Sequence, residues 1–457
     1  MKNILMIASE AVPFIKTGGL ADVVGALPKY INKSEYDVRV MIPKYLCIKK
    51  EVRDTLEYIT HFYINCNGRD RYTGVLKKEE SGITYYFIDN EEYFAGSTPY
   101  GNWDWDIEKF SYFCKAALCA VQVIGFQPDV IHMNDWQTGN IPALLKSEFA
   151  GSDFFSKTKT VLTIHNLRFQ GIRGDTNMLR SGIENADAIT TVSPSYAEEI
   201  KTQYYGEGLD GVIRNREKDL YGILNGIDFE LFNPKTDTYI AKKYSATDYR
   251  SKKYINKKAL QKELGLKVDS GKFMVGIVSR LTDQKGWDLV DYLIDEICTD
   301  DLQLVVLGTG DARYTDCFGY YANKYPARVS ANFCYSEEMA HKIYAASDAF
   351  LMPSNFEPCG LSQLIALRYG SLPIVRETGG LRDTVEPYNE YENKGTGFSF
   401  ANYNAHEMLF TLQYAKRTYY GNKQAWDGLV KRAMSVDNSW EKSAKKYEEL
   451  YLEISKK

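Results

Sequence analysis

A chain of 457 residues is longer than one hydrophobic core usually organises, so two domains are expected. Its 56 lysines and arginines against 60 aspartates and glutamates leave a net charge of -4, which gives no general electrostatic reason to bind nucleic acid or an anionic membrane. Eight cysteines without a C-x-x-C pair and five histidines without an H-E-x-x-H run leave no disulfide framework and no readable metal site.

The first apolar run is too short to span a membrane and carries Glu10 where a signal peptide would have small residues. It reads as the buried first strand of a cytoplasmic protein. Asn3 to Ser9, a helix from Leu20 to Tyr30 and a strand from Asp37 to Ile42 make a βαβ unit. Its turn, Lys16-Thr17-Gly18-Gly19-Leu20, is neither a Walker loop nor a dinucleotide fingerprint. A lysine beside glycine-freed amides suits a sugar phosphate, although a solvent-facing lysine on a tight turn reads equally well.

Strands are expected between Arg69 and Asp89, then an aromatic loop and a helix through Ile124. Asp104 and Asp106 form a D-x-D pair, which suits a cap on that helix better than a hard-cation site, since no further oxygen ligands are in view. Strands at Asp129 to Met133, Thr160 to Ile164 and Ala188 to Val192 are followed by Asn134-Asp135, His165-Asn166 and Ser193-Pro194-Ser195. Open α/β sheets bind ligands beyond the carboxyl ends of their strands, where these polar residues fall.

The first α/β series ends near Asn225, and a lysine-rich segment to about Ser270, with a helix at Asn256 to Leu264, reads as a connector. A second series starts with Lys272 to Val278, after which Arg280 and Lys285 flank a loop and present a fork and a point charge suited to a diphosphate. The glycine turn Gly308-Thr309-Gly310 reads as structural. The strand Ala349 to Met352 leads to Glu357, with Pro358 in the first turn of a helix that stops at Gly370. A carboxylate at a helix start should stay ionised, as a sugar ligand or as a cap. Thr378-Gly379-Gly380 after Leu372 to Val375 offers a second helix start, open to an anion. The amphipathic helix ending at Lys456-Lys457 is too long for a dangling tail.

Nine segments stand in one order: KTGGLADV, HMNDWQTG, TIHNLRFQG, GLDGVIRNR, GILNGID, SRLTDQKG, EPCGLSQLIALRYG, ETGGLRDTV and GTGF. With them the chain resembles the bacterial and plant-type glycogen (starch) synthases over nearly its whole length. The resemblance implies a retaining GT-B enzyme, α/β, with two Rossmann-like doubly wound domains facing across a deep cleft. It implies domains at 1–225 and 226–437, with a C-terminal helix of about 438–457 returning to the first. The implied reaction is glucosyl transfer from ADP-glucose to the 4-hydroxyl of an α-1,4-glucan, glycogen or a maltooligosaccharide. No cofactor or metal, no nucleic acid and no membrane is expected, and the oligomeric state is left unassigned.

For roles, the resemblance implies Lys16, Gly18, Gly19 and Asp22 near the donor, Arg280 and Lys285 on the diphosphate, and His165 on the glucose 6-hydroxyl. It implies Glu357 with Cys359, Gly360 and Leu361 on the other hydroxyls, Thr378, Gly379 and Gly380 on the phosphates, Tyr335 stacked on the base, and Asp135 and Asn225 as polar cleft residues. Ile365, where wider relatives place a second Glu, argues against a sucrose-synthase-like enzyme. The WDWDIEKF segment and Arg382 depart from the family pattern and bear on acceptor handling. The alternatives are a GT-B transferase using UDP-glucose or another acceptor, and an inactive glucan-binding relative.

Overall fold

The apolar runs of the sequence become the central strands of two sheets. The computed structural model describes residues 1–66 and 68–456. The chain forms two compact units, residues 1–225 together with those from Trp440 onward, and residues 226–439.

In the first unit the strands are β1 (Lys2–Ile7), β2 (Tyr36–Pro43), β3 (Glu57–Cys66), β4 (Arg69–Glu80), β5 (Ile83–Asp89), β6 (Val130–Asn134), β7 (Lys159–Ile164), the short pair β8 (Ile172–Arg173) and β9 (Thr176–Asn177), β10 (Ala188–Thr191) and β11 (Leu220–Gly222). One sheet takes them in the order β11-β10-β7-β6-β1-β2-β5-β4-β3. The run from β11 to β5 is parallel, and β4 and β3 add antiparallel at one edge. Strands buried on both faces need near-continuous apolar sequence, which NILMI and VIHM supply.

The second unit holds β12 (Phe273–Val278), β13 (Leu302–Leu307), β14 (Val329–Asn332), β15 (Ala349–Met352), β16 (Leu372–Arg376) and β17 (Phe398–Phe400). All pair in parallel, in the order β14-β13-β12-β15-β16-β17. Each unit is a doubly wound sheet, and the strand directions gather the loops after β1, β6 and β7 at one end of the first sheet and those after β12, β14, β15 and β16 at one end of the second.

The terminal helix runs Trp440–Ile454 and belongs to the first unit; Lys457 lies outside the described residues. Trp440, Ala444, Tyr447, Leu450, Tyr451 and Ile454 recur at helical spacing and join the first unit's core. Polar contacts fix its rotation. The Asn32 N–H donates to Glu448 at 2.7 Å, and buried His132 bonds the Tyr451 hydroxyl at 2.6 Å through Nδ1 and the Thr163 hydroxyl at 2.6 Å through Nε2.

Four expectations are corrected. The strand β3 was not foreseen, because this edge strand is half exposed along most of its length and lacks a clean alternation. The helix placed at Asn256 to Leu264 starts earlier and spans Tyr249–Glu263, and the lysine-rich segment read as a connector is part of the second unit. There Asp237 accepts from the Tyr369 hydroxyl at 2.5 Å and pairs with His341 Nδ1 at 2.8 Å, both buried, which ties the segment down. The D-x-D pair does not cap the helix Trp103–Val123; the Asn102 side chain does, while Asp106 is buried against Lys109 at 2.5 Å. Finally, the helix after Glu357 begins at Ser362, since Gly360 has φ +74°, outside the helical region.

Candidate active site

In the second unit, strand β15 delivers Ser354 and Glu357 and strand β12 delivers Lys285. Lys285 sits in the short turn Asp283–Lys285, which is tied to the Glu357 loop where the Asn355 N–H donates to the Gln284 carbonyl at 2.9 Å. The Lys285 ammonium reaches the Glu357 carboxylate at 2.6 Å, and the Ser354 hydroxyl donates to the same oxygen at 3.0 Å. Glu357 is 5% exposed, so the pair works in a low dielectric, where a charge–charge bond is strong and losing one partner is costly.

Thr378, Gly379 and Gly380 pack directly on this loop. The Gly380 N–H donates to the Glu357 carbonyl at 3.1 Å. A Cβ on Gly379 would lie 2.0 Å from that carbonyl oxygen, and one on Gly380 would lie 2.0 Å from the carbonyl oxygen of Cys359. Only glycine lets the two strand-end loops approach this closely, and Cys359, Gly360 and Leu361 follow Glu357 along the seam. Arg280 follows β12 and is exposed, making no ion pair among the described residues. Tyr335 follows β14 and is 78% exposed. Sequence reasoning missed Arg376, the last residue of β16, which is buried and donates to the carbonyl of Asn355 beneath the Glu357 loop. A charged residue closing the apolar run LPIV was the available signal.

In the first unit, Lys16 pairs with Asp22 at 2.7 Å on the glycine turn after β1, where Gly18 and Gly19 open the helix Gly19–Tyr30. Glu10, also missed, anchors that turn from below. Its buried carboxylate accepts from the Thr17 N–H, from the Thr17 hydroxyl at 2.9 Å and from the Tyr100 hydroxyl at 3.1 Å. Burial pushes the Glu10 carboxyl up, against the pull of those hydrogen bonds.

Asp135, after β6, has φ 57°, an uncommon backbone for a non-glycine residue. Its carboxylate accepts from the His165 N–H at 2.7 Å. Burial pushes this carboxyl up to about 7, the backbone N–H bonds of His165 and Asn166 oppose the shift, and the Glu10 charge adds to it. His165, after β7, sets its Nε2 2.9 Å from the Asn134 side-chain oxygen, while the Asn134 amide donates to the Ile7 carbonyl at 3.1 Å. That assignment makes Nε2 the protonated nitrogen and leaves Nδ1 as an acceptor. Burial holds the ring neutral, pushing its pKa down to about 3. Asn225 is the buried last residue of this unit before the chain crosses over.

The comparisons with known proteins agree along the whole chain. Residues 3–215 match the starch synthase catalytic domain model and residues 260–416 match the model for glycosyl transferases group 1. A glycogen synthase of Lachnospira eligens is 59% identical, with 99% of both chains covered. The chain belongs to the glycogen synthase family. Another member, from Lachnoclostridium phytofermentans, is 54% identical over 99% of each chain.

The catalytic domain of starch synthase IV from Arabidopsis thaliana, solved with ADP and acarbose, is similar over 100% of both chains with a TM-score of 0.92 and 32% identity. A sucrose-phosphate synthase of Thermosynechococcus elongatus, at TM-score 0.64 and 17% identity, shares the fold alone. As in its structural relatives, the fold of this glycogen synthase family member is GT-B, α/β. Among its described residues no group of three or more His, Cys, Asp and Glu side chains gathers as a metal site would need, and no helix is long and apolar enough to cross a membrane.

Proposed function

We propose that this protein is a glycogen synthase that transfers glucose from ADP-glucose to the non-reducing 4-hydroxyl of an α-1,4-glucan, with retained configuration and release of ADP. The observation that carries the reading is the buried Lys285–Glu357 pair, 2.6 Å long, packed against the Thr378–Gly380 turn in a chain of this family. It sets a cation and a carboxylate side by side, and breaking a glycosyl–diphosphate bond builds negative charge on the leaving group and positive charge at the anomeric carbon.

In this reading Lys285 and Arg280 neutralise the departing diphosphate, with the Thr378, Gly379 and Gly380 turn on its phosphates and Tyr335 on its base. Charge already in place supplies most of the catalysis in such a step. Glu357 faces the anomeric centre and, with Cys359, Gly360 and Leu361, holds the sugar hydroxyls. The leaving diphosphate takes the acceptor proton on the same face. In the first unit, His165 accepts the glucose 6-hydroxyl at Nδ1, Asp135 fixes the His165 backbone, and Lys16, Gly18, Gly19, Asp22 and Asn225 serve the donor. The cations Lys285 and Arg280 do the work a metal would otherwise do, and a nucleotide-sugar substrate suits a cytoplasmic enzyme.

The test is diphosphate release from ADP-glucose and from UDP-glucose, each with and without glycogen and with EDTA present. Primer-dependent ADP release that survives EDTA is expected. Release that requires an added divalent cation would overturn the metal-free step. Preference for UDP-glucose would overturn the donor, and silence with both donors from folded protein would make the chain a glucan-binding relative.

A further inference from the structure

A cavity of about 550 Å³ lies in the second unit at the β17 edge of its sheet, between that strand, the chain leading into it and the helix Ala405–Gly421. Its volume is that of a small-molecule site. None of the residues given a role in the transfer lines it.

Four rings do. Phe398 is buried on β17, Tyr388 and Tyr414 are half-buried, and Phe410 is 65% exposed. On the helix, Glu407, Phe410, Thr411 and Tyr414 recur at helical spacing, so one face of it is turned to the cavity. The Tyr388 and Tyr414 rings stack at 5.8 Å and 27°, and Phe398 meets them edge-on at 5.7 Å and 5.6 Å. These contacts hold the rings in place and leave the space between them and Phe410 open.

The charge around the rings is chiefly negative. Glu407 accepts from the Asn402 side-chain amide at 2.7 Å and from the Asn402 N–H at 3.0 Å, bonds that pull its carboxyl down and keep it ionised. Ser399, also in the lining, donates its hydroxyl to Glu377 at 2.7 Å. Burial and then the Glu390 charge push both the Tyr388 and the Tyr414 hydroxyls up, which sets a third carboxylate beside the rings. Against these stand Arg432, whose charge acts on Tyr388, and Arg417, which lies over the Tyr414 ring at 5.3 Å. Among the described residues no lysine or arginine lines the cavity itself.

We propose that this cavity binds a small organic cation of the alkylammonium class. Aromatic faces attract a cation through their ring quadrupole while their apolar surface accepts its carbon skeleton. The protein already sets one cation, Arg417, on a ring of this cluster. A fixed carboxylate in the wall adds attraction for a positive ligand and repels an anion. The site stands apart from the transfer chemistry and does not depend on the function proposed above.

The test is calorimetric titration of the full chain, without donor or primer, with choline and with 3,3-dimethyl-1-butanol, which has nearly the same shape and no charge. Choline should bind about tenfold tighter than the alcohol. Glu407→Gln and Phe410→Ala should each weaken choline several-fold at an unchanged melting temperature, and Arg417→Met, which removes a competing cation, should tighten it. No saturable choline binding, or equal binding of the alcohol, overturns the proposal. So does choline binding that neither Glu407→Gln nor Phe410→Ala weakens, or that Arg417→Met weakens. Loss of choline binding when ADP is added would assign the cation to the nucleotide's site and overturn the cavity as well. No turnover enters the readout, so silence with both nucleotide sugars would end the proposed function and leave each of these outcomes decisive.

Discussion

Glu357 is held by three groups of different origin: an ammonium from one strand end, a hydroxyl from its own loop and a glycine turn from a third strand. Glu357→Gln keeps the shape and removes the charge, so primer-dependent ADP release should fall by about 10²–10³-fold, and the melting temperature should fall as well because the Lys285 ammonium loses its carboxylate. Lys285→Met should cut turnover as far and also destabilise the fold by about 3–5 kcal/mol, because it strands a buried carboxylate; thermal and urea melts check this. Gly379→Ala puts a methyl 2.0 Å from the Glu357 carbonyl oxygen and should abolish turnover even where the protein still folds. Asp135 gives a pH test. Its carboxyl titrates near 7 in the fold against 3.8 for an ordinary aspartate, so between those pH values the folded protein keeps a proton that the unfolded chain has lost, and stability falls as pH rises. His165 and His132, both pushed down to about 3 by burial, act in the opposite sense up to about 6.5, so the comparison must be with a variant. Urea midpoints should show Asp135→Asn gaining on the unsubstituted protein from about pH 4 to about pH 7, then running parallel to it.

At the scale of elements, the strand-end residues were legible because a parallel sheet sends every loop after a strand to one edge, and Asp135, His165, Lys285 and Glu357 each follow an apolar run. Residues whose contacts come from distant segments were not. Glu10 meets Tyr100, and Arg376 meets Asn355, only after the sheets form, and no local pattern announces either contact. The start of the helix after Glu357 was misplaced because a proline at 358 is a good first-turn residue, while the deciding φ of Gly360 is a property of the folded loop. The terminal helix was legible from its apolar spacing, but its buried bond from Tyr451 to His132 was not. Tyr451→Phe leaves His132 Nδ1 without its partner in a fully buried place, a loss of about 1–3 kcal/mol that thermal melts should read, with ADP release little changed below the melting range.

At the scale of the molecule, the first unit is discontinuous: its sheet is complete by Gly222, but its core also includes Trp440, Tyr447, Leu450, Tyr451 and Ile454. Ending the chain after Ser439 removes five large core side chains, more than a margin of about 5–15 kcal/mol can absorb. Limited proteolysis should then digest residues 1–225 while a fragment covering 226–439 resists. The same arrangement fixes an order in time. During synthesis the ribosome releases residues 226–439 before the last helix exists, so the second unit has its whole sequence in hand while the first still waits with an open flank. The enzyme's glycine turn and its Asp135 and His165 loops therefore take their final support from a helix that is made only after the whole of the second unit.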